Sequence, residues 1–160
     1  MRKSLNVLLF TALVVGTGCS MLGRKSGPEM NADYSVVRTR WNATLATPSQ
    51  LAGAMQIHGT SSWSNDGTST SRADILLTNA TPGGVHPWHV HYGRCGGNGG
   101  VVGDPAAYEL LKVDGDGKSA AKAMLSIPLP RSGDYYVNVH AAQSNMGTII
   151  ACGNLASPTQ

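Results

Sequence analysis

From residue 34 onward, the sequence alternates apolar and polar residues over stretches of strand length, and turn residues separate these stretches. A period of two places every second side chain on one face of a strand, so each stretch predicts a strand with one buried face. The predicted strands comprise residues 36–45, 52–63, 69–78, 85–92, 108–113, 119–127, 135–141 and 147–155. We therefore expect residues 34–160 to form one all-β domain, a Greek-key sandwich or barrel of about eight antiparallel strands.

The N-terminal residues have the pattern of a secretory signal. Arg2 and Lys3 precede an almost uninterrupted apolar run over residues 5–15, and small residues then lead to Cys19. The run is shorter than the roughly 20 residues that a helix needs to cross a bilayer core of about 30 Å. We expect residues 1–18 to be a signal peptide rather than a permanent transmembrane span.

The sequence Gly16-Thr-Gly-Cys19 resembles the lipobox of bacterial lipoproteins, in which the cysteine is lipidated and becomes the mature N-terminus. That family usually has Leu or another aliphatic residue where this chain has Gly16. The resemblance implies that Cys19 is lipidated, and Ser20 implies a lipoprotein of the outer membrane that faces the periplasm. Residues 20–33 contain Gly, Pro and charges without an apolar period, so we expect a lipidated, flexible tether over residues 19–33. The alternative is ordinary cleavage nearby, which would leave Cys19 as a spare thiol.

Three cysteines in an exported protein leave one unpaired, and lipidation of Cys19 would account for it. Cys95 and Cys152 then remain as a pair, and an oxidising compartment favours a disulfide between them. The alternative is two buried free thiols.

The charge of the chain excludes one class of partner. The formal net charge is +3, from 12 basic and 9 acidic residues, and removal of Arg2 and Lys3 leaves 10 basic residues and a net charge of +1. A nucleic-acid-binding domain needs clustered Lys and Arg. We therefore expect no nucleic-acid partner.

Two histidines lie two residues apart in the predicted strand 85–92. His89 and His91 must share one face of that strand, and Trp88, Val90 and Tyr92 then share the other. We expect the apolar set to pack into the core and the two imidazoles to stand out together. Two imidazoles on one face suit a metal ion, and two solvated surface histidines are the alternative.

A third histidine supports the prediction of a metal site over that of two surface histidines. His140 ends the apolar stretch 135–140, on the face opposite Val137 and Val139, so a neighbouring strand can present it to the first pair. Three imidazoles from two strands suit copper or zinc. If Cys95 and Cys152 are paired, neither is left to ligate, and imidazole-only ligation in an exported protein favours copper over iron–sulfur chemistry, while spacing does not separate copper from zinc. We expect one copper ion per chain.

The two remaining histidines are weaker candidates. His86 lies three residues before His89, within reach of a fourth ligand position, although a loop histidine without a metal role is the alternative. His58 lies on another predicted strand, and we expect it to be a surface residue. The glycine-rich run 95–100 is expected to form a mobile loop beside the histidines; it lacks the Gly-Lys-Ser/Thr of a phosphate-binding loop.

These motifs together resemble the copper,zinc superoxide dismutases. His89-Val-His91, Cys95, Val139-His140 and Ala151-Cys-Gly153 occur in the order in which that family places its copper ligands and its disulfide cysteines. The resemblance covers about residues 85–155. It implies a Greek-key sandwich in which His89, His91 and His140 bind copper and Cys95 pairs with Cys152.

The chain also departs from that family. No histidine lies between His91 and His140, so the metal-bridging histidine and the remaining zinc ligands are absent, and no zinc site of that type is expected. The arginine that the family places before Ala-Cys-Gly, where it attracts superoxide, is replaced here by the stretch 147–150. Arg94 is a possible substitute, and a solvated surface arginine is the alternative.

A second resemblance concerns the strand Gly133-Asp-Tyr-Tyr-Val-Asn-Val-His140, which is similar to the signature of the CHRD domain, a chordin-like β-sandwich module. That family ends its signature with Glu-Ile-Arg-Gly, which this chain lacks. Both families imply the same kind of sandwich.

Two functions follow as hypotheses. The first is an envelope-anchored copper protein of the copper-only superoxide dismutase type, with superoxide as its substrate and the membrane reached through a lipid anchor. The second is a non-catalytic copper-binding or CHRD-like module. A hydrolase is disfavoured because no Ser or Cys nucleophile can be placed near a base by motif.

Overall fold

The structure, a computed structural model, describes residues 40–158, and the predicted signal peptide, Cys19 and the tether lie outside that range. Within it, the chain is almost entirely β. The strands are β1 (Arg40–Ala46), β2 (His58–Asn65), β3 (Ser71–Thr78), β4 (Val85–His86), β5 (Trp88–Tyr92), β6 (Leu111–Lys112), β7 (Ser119–Leu125), β8 (Tyr135–Ala142) and β9 (Asn145–Leu155). One 3-10 turn covers Pro105–Ala107. Among these residues, no helix has the length and apolarity required to cross a membrane.

Seven strands form one antiparallel sheet in the order β5-β8-β9-β1-β2-β3-β7, which curls into a half-barrel. β4 and β6 form a separate two-stranded sheet. The segment 101–108 connects the two open edges of the large sheet, because Val101 bridges to His91 in β5 and Tyr108 bridges to Ala123 in β7. The prediction of an all-β antiparallel domain is confirmed.

Three tryptophans anchor the core inside the curl of the sheet. Trp41, Trp63 and Trp88 are each almost completely buried. Each indole N–H has an acceptor, as buried indoles require; that of Trp63 donates to the hydroxyl of Ser71 at 2.9 Å, and that of Trp88 to the carbonyl of Glu109 at 2.8 Å. Truncation of a buried tryptophan to Ala costs about 3–5 kcal/mol in comparable cores.

The predicted strands differ from the observed ones at two places that matter for the site. Residues 52–57 form a turn and an irregular segment after it, rather than the first half of β2. The stretch 85–92 is divided at Pro87, which has no N–H to continue a ladder, so β4 pairs with β6 while β5 pairs with β8. That division separates His86 from His89 and His91.

Candidate metal centre

β5 carries two histidines on the face of the sheet that points away from the core. His89 lies directly opposite Asn138 in β8, and His91 lies directly opposite Tyr136, so all four side chains share that face. The two histidines were expected to stand out from the sheet, but they are buried, with exposed fractions of 7% and 9%. The glycine-rich loop lies against His91 on this face, and Tyr108 and His140 pack against His89.

The prediction for Tyr92 was wrong. It was expected to pack into the core with Trp88 and Val90, both of which are completely buried. Instead, Tyr92 is 51% exposed, because it ends β5 where the chain turns into Gly93, whose φ is 102°.

His140 joins the pair from β8, as the sequence predicted. One ring nitrogen from each of His89, His91 and His140 lies within 4.8 Å of the others, and all three residues are buried. The shortest separation is 3.2 Å, between Nδ1 of His89 and Nε2 of His140. These distances allow one ion to contact all three rings.

Two backbone carbonyls determine which ring nitrogens keep a lone pair. Nδ1 of His91 donates to the carbonyl of Gly99 at 2.8 Å, and Nδ1 of His140 donates to the carbonyl of Met146 at 2.6 Å. A carbonyl only accepts, so each Nδ1 carries the hydrogen and each Nε2 keeps its lone pair. Metal-ligating histidines are commonly oriented by this kind of partner.

Nε2 of His91 is a buried acceptor that no protein group satisfies. Buried polar atoms are almost always hydrogen-bonded, so an orphaned lone pair among imidazoles calls for a cation or a donor. Nδ1 of His89 lies at hydrogen-bond distance from Nε2 of His140, so a cation that displaced the hydrogen between them would reach three ring nitrogens. The donor set therefore fits a metal ion that accepts imidazole ligands.

The three imidazoles are neutral at pH 7. Burial, together with the nearby His140 and His91, lowers the pKa of His89 to about 4. Burial also lowers the pKa of His91 and of His140. Because only neutral imidazole ligates, protons do not compete for the site near neutral pH.

A β-bulge places the carbonyl that orients His140. His140 pairs with Ile149 and Ala142 pairs with Asn145, so Met146, Gly147 and Thr148 lie opposite a single residue of β8. A bulge of this kind bends its strand and redirects local groups. Here it brings the start of β9 against the metal ligands.

The glycine-rich loop is held over the site at several points. Cys95 forms a disulfide with Cys152 in β9, which confirms that predicted pair, and its backbone N–H donates to Oδ1 of Asn154 at 2.8 Å. The hydroxyl of Tyr136 donates to the carbonyl of Gly97 at 3.0 Å. The loop was expected to be mobile, but these contacts tie it to β8 and β9.

The two weaker histidine candidates lie elsewhere. His58 is exposed on β2, as expected. His86 is outside the three-histidine group; its Nδ1 donates to the carbonyl of Ala141 at 2.9 Å, and its Nε2 is buried without a partner. A role for His86 as fourth ligand stays a prediction.

A cleft of about 430 Å³ adjoins the site at His89. Its lining, within the described chain, includes no Asp, Glu, Lys or Arg and consists of Pro87, Trp88, His89, Pro105, Ala106, Tyr108, Leu110, Gln143 and Met146. Arg94, the possible substitute for the guiding arginine, is exposed and pairs with Asp134 at 2.8 Å, so it does not line this cleft.

Sequence reasoning missed three residues at the site. Tyr108 packs its ring edge-on against His89 with centroids 5.0 Å apart. Asn138 is buried opposite His89 with its Oδ1 unpartnered, and Met146 supplies the carbonyl to His140. Asn138 stands two residues before His140, and that same-face spacing was the one available signal for it.

No protein-family model and no curated protein matches this sequence. The resemblances to the superoxide dismutases and to the CHRD domain therefore stay interpretations of the motifs.

Proposed function

We propose that this protein binds one copper ion per chain through His89, His91 and His140, as an exported lipoprotein of a bacterial envelope. The observation that carries the proposal is the convergence of three buried, neutral imidazoles within 4.8 Å. Imidazole suits copper and zinc alike, and at a given nitrogen site copper is the stronger binder in the Irving–Williams order. Export is supported by the disulfide, which persists in oxidising compartments, and by the N-terminal signal pattern.

The proposed reaction is the dismutation of superoxide. Bound copper supplies one-electron chemistry: one superoxide anion gives up an electron and leaves as dioxygen, and a second takes that electron and, with two protons, leaves as hydrogen peroxide. The carbonyls of Gly99 and Met146 hold the rings of His91 and His140 in the ligating tautomer. His89 borders the open cleft, through which a small anion can reach the centre.

Copper binding is tested by calorimetric titration of the wild-type protein, His140→Ala and His58→Ala. His140→Ala removes a buried ligand and should weaken copper binding by more than the roughly tenfold to hundredfold that loss of an outer partner costs at metal sites. His58→Ala removes an exposed imidazole and should bind like the wild type. Equal affinities for the two variants would reject the three-histidine centre. Parallel zinc titrations would compare the two metals.

Dismutase activity is tested separately by pulse radiolysis of the copper-loaded protein. Rapid superoxide decay that is lost in His140→Ala supports the enzyme. Decay no faster than with the copper-free protein, in a sample that holds one copper per chain, would reject the enzyme and keep the copper centre.

A non-catalytic copper-binding module is the second candidate, and the charge of the cleft favours it. Electrostatic steering raises the association rates of charged substrates. This cleft has no cationic side chain among its lining residues, and the guanidinium of Arg94 is paired with Asp134. The salt dependence of superoxide decay would distinguish a steered enzyme from an unsteered centre.

A further inference from the structure

Met146 occupies an unusual position beside the three histidines. Its carbonyl accepts the hydrogen bond from His140, and its side chain lines the same cleft as His89 while remaining 39% exposed. The bulge at the start of β9 produces this placement, since it inserts Met146 opposite β8 immediately beside the ligands. The long side chain of Met146 therefore lies in the cleft that His89 also lines.

The other polar groups of the cleft are already occupied or chemically different. The hydroxyl of Tyr108 donates to the carbonyl of Val102 at 2.8 Å, and the indole N–H of Trp88 donates to Glu109. Gln143 offers a hard amide oxygen. The thioether of Met146 is thus the one soft donor among the lining residues of the described chain.

We propose that the sulfur of Met146 is a fourth ligand that binds copper in its Cu(I) state from the cleft side. This inference rests on the proposed copper function. Soft thioether sulfur favours Cu(I) over the harder Cu(II), whereas imidazole accepts copper in both states. Methionine has three rotatable bonds, so its sulfur can adjust to an ion without movement of the strand.

The chain offers a matched control for this inference. Met124 is also an exposed methionine, at 45%, but it lies on β7 and lines a different cleft. Met146→Leu and Met124→Leu each remove one thioether at nearly constant volume. Met146→Leu also keeps the backbone carbonyl that orients His140.

The test is anaerobic competition for Cu(I) between the full chain and the chromophoric chelator bicinchoninate. Met146→Leu should lower Cu(I) affinity by at least the roughly tenfold that loss of an outer partner costs at metal sites, with Cu(II) affinity much less affected. Met124→Leu should match the wild type in both states. Equal Cu(I) affinities for Met146→Leu and the wild type would overturn the inference.

X-ray absorption of the Cu(I)-loaded wild-type protein provides a measurement that does not depend on a variant. A sulfur scatterer at copper is expected in the wild type and in Met124→Leu, and not in Met146→Leu. A wild-type spectrum with nitrogen neighbours alone would overturn the Met146 ligand and leave the three-histidine centre intact. A wild-type protein that binds no copper would reject the proposed function and this inference together.

Discussion

The carbonyl oxygen of Gly99 lies 2.8 Å from Nδ1 of His91, so a residue of the covering loop decides which nitrogen of a buried ligand keeps its lone pair. Gly99 follows the disulfide cysteine Cys95 by four residues, and Tyr92 N–H also binds the loop, at the carbonyl of Gly100. The loop therefore orients one histidine of the candidate metal centre without adding a side chain to the three-histidine group.

Gly99→Ala should weaken copper binding. A Cβ at this position would overlap the backbone carbonyl of Tyr92, so the loop would have to move and the hydrogen bond to His91 would be lost. Loss of such a partner typically costs about tenfold to hundredfold in metal affinity. Calorimetric titration measures the change.

Gly100→Ala is the control for that substitution, because a Cβ there meets no heavy atom within 4 Å. It should bind copper like the wild type. If the two alanine variants bound copper equally well, the carbonyl of Gly99 would have no part in orienting His91.

Removal of the disulfide should lower both stability and metal affinity. The bond joins residues 57 positions apart, and closing such a loop is worth about 4 kcal/mol in the chain-entropy model. A Cys95→Ser/Cys152→Ser variant should unfold at lower urea concentration, followed by tryptophan fluorescence, and should bind copper more weakly because the loop is released. Unchanged copper affinity in the folded variant would show that the remaining loop contacts suffice.

Acid should destabilise the metal-free protein. In the unfolded chain a histidine has a pKa of about 6.5, whereas burial lowers the folded pKa of His89 to about 4. Between these values the unfolded chain binds more protons, so the free energy of unfolding falls as pH falls from about 6.5 to about 4. The lowered pKa values of His91 and His140 act in the same direction.

Urea unfolding at a series of pH values measures this dependence. His89→Gln should flatten the slope in that window, since the variant has no imidazole to protonate there. If the free energy of unfolding depended on pH equally in His89→Gln and in the wild type, the lowered pKa of His89 would not be the cause.

Anchoring is a prediction from the sequence alone. If Cys19 is lipidated, the wild-type protein should sediment with membranes, and Cys19→Ser should release it to the soluble fraction of the envelope. Cell fractionation followed by mass analysis of the N-terminal peptide checks both points. A Cys19→Ser protein that stayed equally membrane-bound would reject the lipoprotein assignment.

Much of the fold was predictable because apolar and polar residues alternate with a period of two wherever one face of a strand packs on the core. β3 and β7 follow it closely. The same rule placed His89 and His91 on one face but wrongly left them exposed, because their burial depends on the tertiary packing of Gly99 against His91 and of Tyr108 against His89. Met146 was beyond prediction, because a bulge shifts register through tertiary packing and leaves no periodic signal.

The segment 101–108 has a consequence for the protein at high concentration. An open half-barrel exposes two strand edges, and unpaired edges are templates on which other chains can add strands and aggregate. Val101 and Tyr108 occupy positions on the edges of β5 and β7, through their bridges to His91 and Ala123. Since Tyr108 also packs against His89 and lines the cleft, the residue that covers the edge of β7 is part of one wall of the cleft as well. Mutations that widen the cleft at this wall should therefore promote fibre formation.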